Sequence, residues 1–203
     1  MADSREEWAT GAGFVLATIG AAVGLGNIWR FSYVAGENGG GAFLVVYVVS
    51  VLLVGAPIVV AELALGRHAR GDAVAAFETG GRRSRWRWAG WIGVIGSFVI
   101  LSYYAVIAGW ALKYFAGALT GLLWRAAAEG YGGYFERFIA NPGEPILWQF
   151  AVLAAATLVV AGGIRQGIER ASRLLMPLLA LSVVVLAVYA STLPGSAEGW
   201  RFL

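Results

Sequence analysis

The stretch Gly20–Phe31, GAAVGLGNIWRF, decides how this chain is read. It lies inside an apolar run long enough to cross a bilayer, yet it holds Gly20, Gly24, Gly26, Asn27 and Arg30. In an unbroken helix Gly20, Val23, Gly24 and Asn27 share one face, and Gly20 with Gly24 makes a small-xxx-small packing seam. That reading leaves Gly26 off the seam and puts the Asn27 amide into lipid. It also costs about 2.5–3.5 kcal/mol for Arg30 near a helix centre. The second reading is a discontinuous helix. Each interior glycine weakens a helix by about 1 kcal/mol relative to alanine. Unwinding frees carbonyls, which suit a hard cation such as sodium, and amides at the start of the next half-helix, which suit a carboxylate. Non-helical backbone is tolerated at membrane depth where it lines a cavity.

Working outward, the 203 residues are 59% hydrophobic and 13% charged, with nine Trp, one His and no Cys. A charged share that far below the usual value of about 25% describes an integral membrane protein, and backbone polar groups that must be satisfied internally in lipid make its spans helices, an all-α fold. The absence of Cys excludes disulfides and thiolate metal sites. Five segments are long and apolar enough to span, at about 11–35, 41–66, 89–123, 145–163 and 167–191. They make residues 1–203 a single membrane domain, with a cytoplasmic loop at about 67–88 and an extracellular loop at about 124–144. The runs are continuously apolar rather than alternating, which argues against a β-barrel. The third is long, so it tilts or projects beyond the membrane.

The basic residues set the orientation. Arg5, Arg67, Arg70, Arg82, Arg83, Arg85, Arg87, Arg165, Arg170 and Arg173 share one side; Lys113, Arg125, Arg137 and Arg201 share the other. This bias places the N-terminus in the cytoplasm and the C-terminus outside a multi-pass plasma (inner) membrane protein. The positive charge is therefore topogenic, and the partner it implies is the lipid bilayer, not nucleic acid. The polar loops read as solvated. No GxSxG or HExxH motif and no intramembrane Asp or His is present, so the chain is not read as an enzyme.

The segment EEWATGAGFVLATIGAAVGLGNIWRFSYVAGENGGGAFLVVYVV resembles the first two spans of the neurotransmitter:sodium symporter family, especially its bacterial leucine-transporter-like amino-acid transporters. PIVVAELALGRHAR, VILSYYAVIAGW and GIRQGIERASRLLMP resemble later parts, so the likeness runs along essentially the whole chain. The broken-helix design is a known feature of such transporters. The resemblance implies the first half of an inverted-repeat (5+5) symporter fold, with span one broken near residues 20–26. It implies sodium-coupled symport of a small amino acid.

The resemblance also implies roles. The Gly20 and Val23 carbonyls would contribute to one sodium site; the Ala22 carbonyl and the Asn27 side chain would contribute to the other, each site only partly supplied by this chain. The Leu25 and Gly26 amides would receive the substrate carboxylate, with Ala22 and Gly24 beside them. Tyr104 would add its hydroxyl, and Ile100 would line an apolar pocket. Gly24 stands where amine-carrying relatives place an aspartate, so a zwitterionic amino acid is implied. Arg30 resembles an outer-gate arginine; Arg5 and Trp8 resemble an inner gate. Glu62 is an intramembrane carboxylate, and the family uses it to brace a later span. Tyr47 matches a chloride-site position of chloride-dependent members. Ser32 departs from relatives that carry proline.

The family has about twelve spans, and an odd-span unit followed by its copy places that copy upside down. Five spans therefore read as a first repeat, not competent alone. The missing second half, spans six onward, is expected in cis or as a separate chain. The alternative from another class is a five-helix accessory or structural subunit without transport activity, which has no need of Gly26, Asn27 and Tyr104 together.

Overall fold

The computed structural model describes residues 8–80, 84–126 and 130–202, and among these there is no strand. Arg5 lies outside the described residues. Four helical segments, Gly41–Ala69, Arg87–Thr120, Gly143–Ala161 and Gly163–Thr192, are long and apolar enough to cross a membrane. Gly11–Ala22 and Gly26–Glu37, taken as one span, make a fifth, bent by 74°. The five expected spans are all there, as an all-α membrane fold. At 34 residues and about 1.5 Å per residue, Arg87–Thr120 is longer than a hydrocarbon core of about 30 Å.

The chain divides into two compact units, Met1–Val60 with Val159–Leu203, and Ala61–Leu158. In the first, α1 (Gly11–Ala22) ends at a break; a π-helical turn (Gly26–Arg30) and α2 (Phe31–Glu37) follow. The ENGG segment then reverses the chain. Gly39 and Gly40 take φ of +87° and +53°, a region in which only glycine is unstrained. α3 (Gly41–Ser50) continues through a π-helical turn (Val51–Gly55) into α4 (Ala56–Ala69). Phe31, Phe43 and Tyr47 cluster, with ring centroids 4.8–6.3 Å apart, and tie α2 to α3.

In the second unit, the segment read as a solvated loop is folded. α5 (Ala73–Gly80) packs on α6 (Arg87–Thr120). Asp72 Oδ1 accepts from the Ala75 amide at 2.8 Å, an N-cap bond that starts the helix. Ala76 is buried, and a Cβ on Gly90 would stand 2.6 Å from Val74 Cα. His68 sits in the last turn of α4. The expected extracellular loop also contains helix, α7 (Leu122–Ala126) and α8 (Tyr131–Ala140), with Phe138 only 2% exposed. α6 presents Ala105, Gly109, Lys113 and Gly117 as one buried stripe. At Gly109 the backbone of α9 (Gly143–Ala161) comes so close that a Cβ would lie 2.7 Å from Gln149 N.

Lys113 is therefore more than a topogenic charge. It is 8% exposed, ion-pairs with Glu144 at 2.5 Å and lies 3.8 Å over the Phe138 ring. Back in the first unit, a π-helical turn (Gly163–Glu169) leads into α10 (Arg170–Thr192), and α11 (Ser196–Phe202) follows. Span five begins four residues earlier than the sequence suggests, because Gly163 at φ +72° makes the reversal in a tight glycine turn. α11 closes against Gly40, where a Cβ would lie 2.6 Å from Phe202 Cε1.

Candidate functional site

The break in span one is narrower than residues 20–26. Gly20 and Ala22 belong to α1, and only Val23 and Gly24 leave helical structure. Val23 is extended, at φ −87° and ψ 112°, and its amide still donates to Ile19 O at 2.8 Å. Leu25 returns to helical dihedrals, and Gly26 opens the π-helical turn. Gly20 owes its missing side chain to packing: a Cβ there would sit 3.2 Å from Met176 Sδ of α10. The seam reading and the broken-helix reading are thus both true, at different glycines. Gly20 is the seam, and Gly24 is the break.

Asn27 is what organises the break. Its Oδ1 accepts from the Gly24 amide at 3.3 Å, and its own amide donates to Gly24 O at 3.1 Å. This is one half of a capping box, in which the third helical residue reaches back to the cap amide. The other half needs a cap side chain reaching forward, and Gly24 has none. No side chain caps this turn. The 3.6-fold ladder is also loosened here, because the Phe31 amide donates to Gly26 O across five residues instead of four. Gly26 is exposed, with no atom within 4 Å of where a Cβ would be.

The same unit holds Trp8, Arg30 and Tyr47. Trp8, just before α1 in the chain, packs edge-on to Phe14 of that helix at 5.8 Å. Arg30 ends the π-helical turn and is exposed. Glu62, Ile100 and Tyr104 belong to the second unit. Glu62 lies exposed on α4. Ile100 and Tyr104 share a face of α6 with Ser97 and Gly93, and Ser97 Oγ donates to Gly93 O at 2.9 Å on that face. Among the described residues no three His, Cys, Asp or Glu side chains converge as metal ligands.

The sequence reading missed one group. Glu169, at the end of the π-helical turn before α10, is 1% exposed, and its carboxylate accepts three hydrogen bonds, two of them from the start of span one. Oε2 accepts from the Ala9 amide at 2.8 Å, and Oε1 accepts from Thr10 Oγ1 at 3.1 Å and Arg173 Nη2 at 2.5 Å. Thr10 Oγ1 caps α1 by accepting from Gly13 N at 2.9 Å. Gly13 is glycine because any Cβ would overlap the Glu169 carboxylate. The Thr10-to-Gly13 spacing was a visible cap signal. The distant carboxylate was not.

Comparison with known proteins matches residues 5–133 to the sequence model of the "Sodium:neurotransmitter symporter family". The chain is 43% identical over 197 residues to the uncharacterized sodium-dependent transporter YhdH of Bacillus subtilis, covering 97% of this chain and 44% of that protein. It is 30% identical over 99% of its length to the rat sodium-dependent neutral amino acid transporter B(0)AT3, covering 37% of that protein. The crystal structure of MhsT in complex with L-phenylalanine superposes with a TM-score of 0.88 at 54% identity, over 98% of this chain and 45% of that one. The Bacillus subtilis and rat relatives are named as sodium-dependent transporters, and the chain spans under half of each of the three proteins.

Proposed function

This chain belongs to the sodium:neurotransmitter symporter family, and from that premise we propose that it is the first-repeat part of a sodium-coupled symporter for a small zwitterionic amino acid. One observation carries the reading: the second half of span one starts with no side-chain cap, because Gly24 offers none, although Asn27 has already closed the reciprocal bond. An uncapped helix start in an apolar span favours an anion from outside the chain. A substrate carboxylate at the Leu25 and Gly26 amides fills that role. The phenylalanine held by MhsT and the neutral amino acids named for B(0)AT3 fit this class of ligand.

In the proposal, the carbonyls of Gly20 and Val23 serve one sodium site, while the Ala22 carbonyl and Asn27 Oδ1 serve the other. Asn27 Oδ1 accepts one bond from Gly24, and its second lone pair remains for an ion. The Gly20 carbonyl suits this role because the Gly24 amide, its ordinary helical donor, is turned to Asn27 instead. Tyr104 and Ile100 contribute to the substrate pocket, Arg30 to closing the outer path, and Trp8 to closing the inner one. Arg5, for which the same inner-gate role is proposed, lies outside the described residues. Glu62 braces the second repeat. The N-terminus is cytoplasmic, in the plasma membrane. The remaining ligands come from the part of the family's length that these 203 residues do not match, in cis or on a separate chain.

The test is co-expression of the 203 residues with the complementary portion of YhdH, followed by uptake of radiolabelled phenylalanine and leucine into proteoliposomes. Uptake is expected only with both parts and an inward sodium gradient, and Asn27→Ala should reduce it at least about tenfold, since it removes both an ion ligand and the Gly24 bond. Uptake indifferent to Asn27→Ala, or to replacing sodium by potassium, sinks the symport reading and favours the accessory-subunit alternative.

A further inference from the structure

The folded segment before span three encloses a groove that the transport reading does not use. It lies between α5 and α6, has a volume of about 440 Å³ and is lined by Asp72, Val74, Ala75, Glu78, Trp91 and Val94. That volume is in the range of small-ligand sites. Asp72, Ala75 and Glu78 recur every third residue and run along one side of α5. Both carboxylates are exposed. Asp72 Oδ1 holds the Ala75 amide at the N-cap, which leaves Oδ2 for another donor. Among the described residues no basic side chain pairs with either carboxylate. Two anions beside an indole ring attract a cation.

The α6 wall continues beyond the groove. Arg87, Trp91, Val94 and Phe98 are spaced at offsets of four, seven and eleven, so they share one face of the helix, and all four are exposed. This stripe passes from a guanidinium through an indole to apolar groups within about 17 Å, eleven residues at about 1.5 Å each. Trp86 and Trp88 are exposed beside Arg87, whose guanidinium lies 5.8 Å from the Trp88 ring centroid. Tryptophan and arginine gathered at the end of an apolar span mark a membrane–water interface. The groove therefore opens at headgroup depth, with Val94 and Phe98 toward the acyl layer.

We propose that the α5–α6 groove binds one phospholipid with a primary amine in its headgroup, phosphatidylethanolamine. The ammonium donates to Asp72 and Glu78, the phosphate meets Arg87, and the chains follow Val94 and Phe98. The charge pattern selects this class. Phosphatidylglycerol has a phosphate for Arg87 but brings a net negative charge to two carboxylates. Phosphatidylcholine matches the charges but has no N–H to donate. A primary amine can donate to both carboxylates, and charge-assisted bonds of that kind are about twice as strong as neutral ones. Neither sodium nor the transported amino acid takes part in this binding.

The test is native mass spectrometry of the 203-residue chain in detergent, with the three lipids titrated separately and their acyl chains identical. One phosphatidylethanolamine is expected to bind at least about tenfold more tightly than either of the others. Asp72→Asn with Glu78→Gln removes both charges at nearly constant shape, and asparagine remains a good N-cap. That double variant should bind phosphatidylethanolamine no better than phosphatidylcholine. Circular dichroism establishes that it is folded; if it is not, the single variants decide, each expected to lose at least about threefold. Glycerophosphoethanolamine carries the same amine and phosphate without chains, and should compete at least about tenfold more weakly than the lipid. The site is overturned if the parent binds phosphatidylcholine or phosphatidylglycerol as tightly as phosphatidylethanolamine, or if the preference survives loss of the carboxylates. Equal competition by glycerophosphoethanolamine assigns the groove to a soluble amine and overturns the lipid.

Discussion

Span one contains two helix starts, and they are treated in opposite ways. The first, at Thr10, is saturated from within: a threonine cap, a buried glutamate from another helix and an arginine that binds both. The second, after Gly24, has no side-chain cap and is steadied by Asn27. At both starts the first amides have no partner within their own helix by geometry. The difference is that the chain caps one start with side chains and leaves the other without a side-chain cap. A start filled by the chain itself is a fixture; a start left without a cap is suited to a ligand. The proposed function rests on the second side of this contrast.

The contrast can be broken most severely at the saturated end. Gly13→Val places a branched side chain where Glu169 sits. It should cost about 3–5 kcal/mol, the range for disrupting a buried charged group and its partners, seen as a large drop in thermal unfolding temperature in detergent. The second unit offers a smaller version. Lys113 is 9% exposed at its side chain and Glu144 is 42% exposed. Removing the carboxylate in Glu144→Ala strands a buried ammonium and should destabilise by about 1–3 kcal/mol. Lys113→Met leaves only a half-solvated carboxylate and replaces the stem with apolar volume, so it should cost clearly less. Equal losses in the two variants contradict the burial asymmetry.

At the open end the expected stability effects shrink and reverse in sign. Gly26→Ala meets no atom within 4 Å and sits at a helical position, so thermal stability should stay level or rise by up to about 1 kcal/mol. If the space beside Gly26 is where a carboxylate rests, the same methyl group should weaken amino-acid binding in the assembled transporter. Stability and binding moving in opposite directions would separate a ligand site from a packing site.

Much of the fold could be read from the sequence because hydropathy acts on long windows. Five apolar runs, their approximate limits and the break at Gly20–Gly26 all follow from local composition and glycine spacing. Local signals also carried the Ile100–Tyr104 face of α6. The width of the break did not follow, because Gly20 serves a seam against Met176 that lies 156 positions away in sequence. Glu169 was hidden for the same reason: its partners Ala9 and Thr10 are 160 and 159 residues distant, and no period or motif couples such positions. The folded parts of the two loops were legible in principle. Asp72 followed by AVAAF is a capped apolar turn, and Lys113 among aromatic residues is an unusual place for a topogenic charge. Counting these residues as loop or as charge discarded the packing information they carry.

The smallest stability effect makes the sharpest test of the contrast. Gly24→Ser gives the open start the forward-reaching side chain it lacks, a hydroxyl that can accept from the Gly26 amide two residues on. Glycine is already a tolerable cap, so the gain in stability should be only a few tenths of a kcal/mol. The consequence for a ligand is far larger. The serine hydroxyl would take the amide that an incoming carboxylate needs, and a capped start no longer favours an anion from outside. Amino-acid affinity of the assembled transporter should fall at least about tenfold, corresponding to about 1.4 kcal/mol, with the unfolding temperature almost unchanged. Thr10→Ser at the other start exchanges one capping hydroxyl for another and should leave binding as it was. If Gly24→Ser binds amino acid as well as the parent does, the missing cap is incidental, and the difference between the two helix starts says nothing about where the substrate lies.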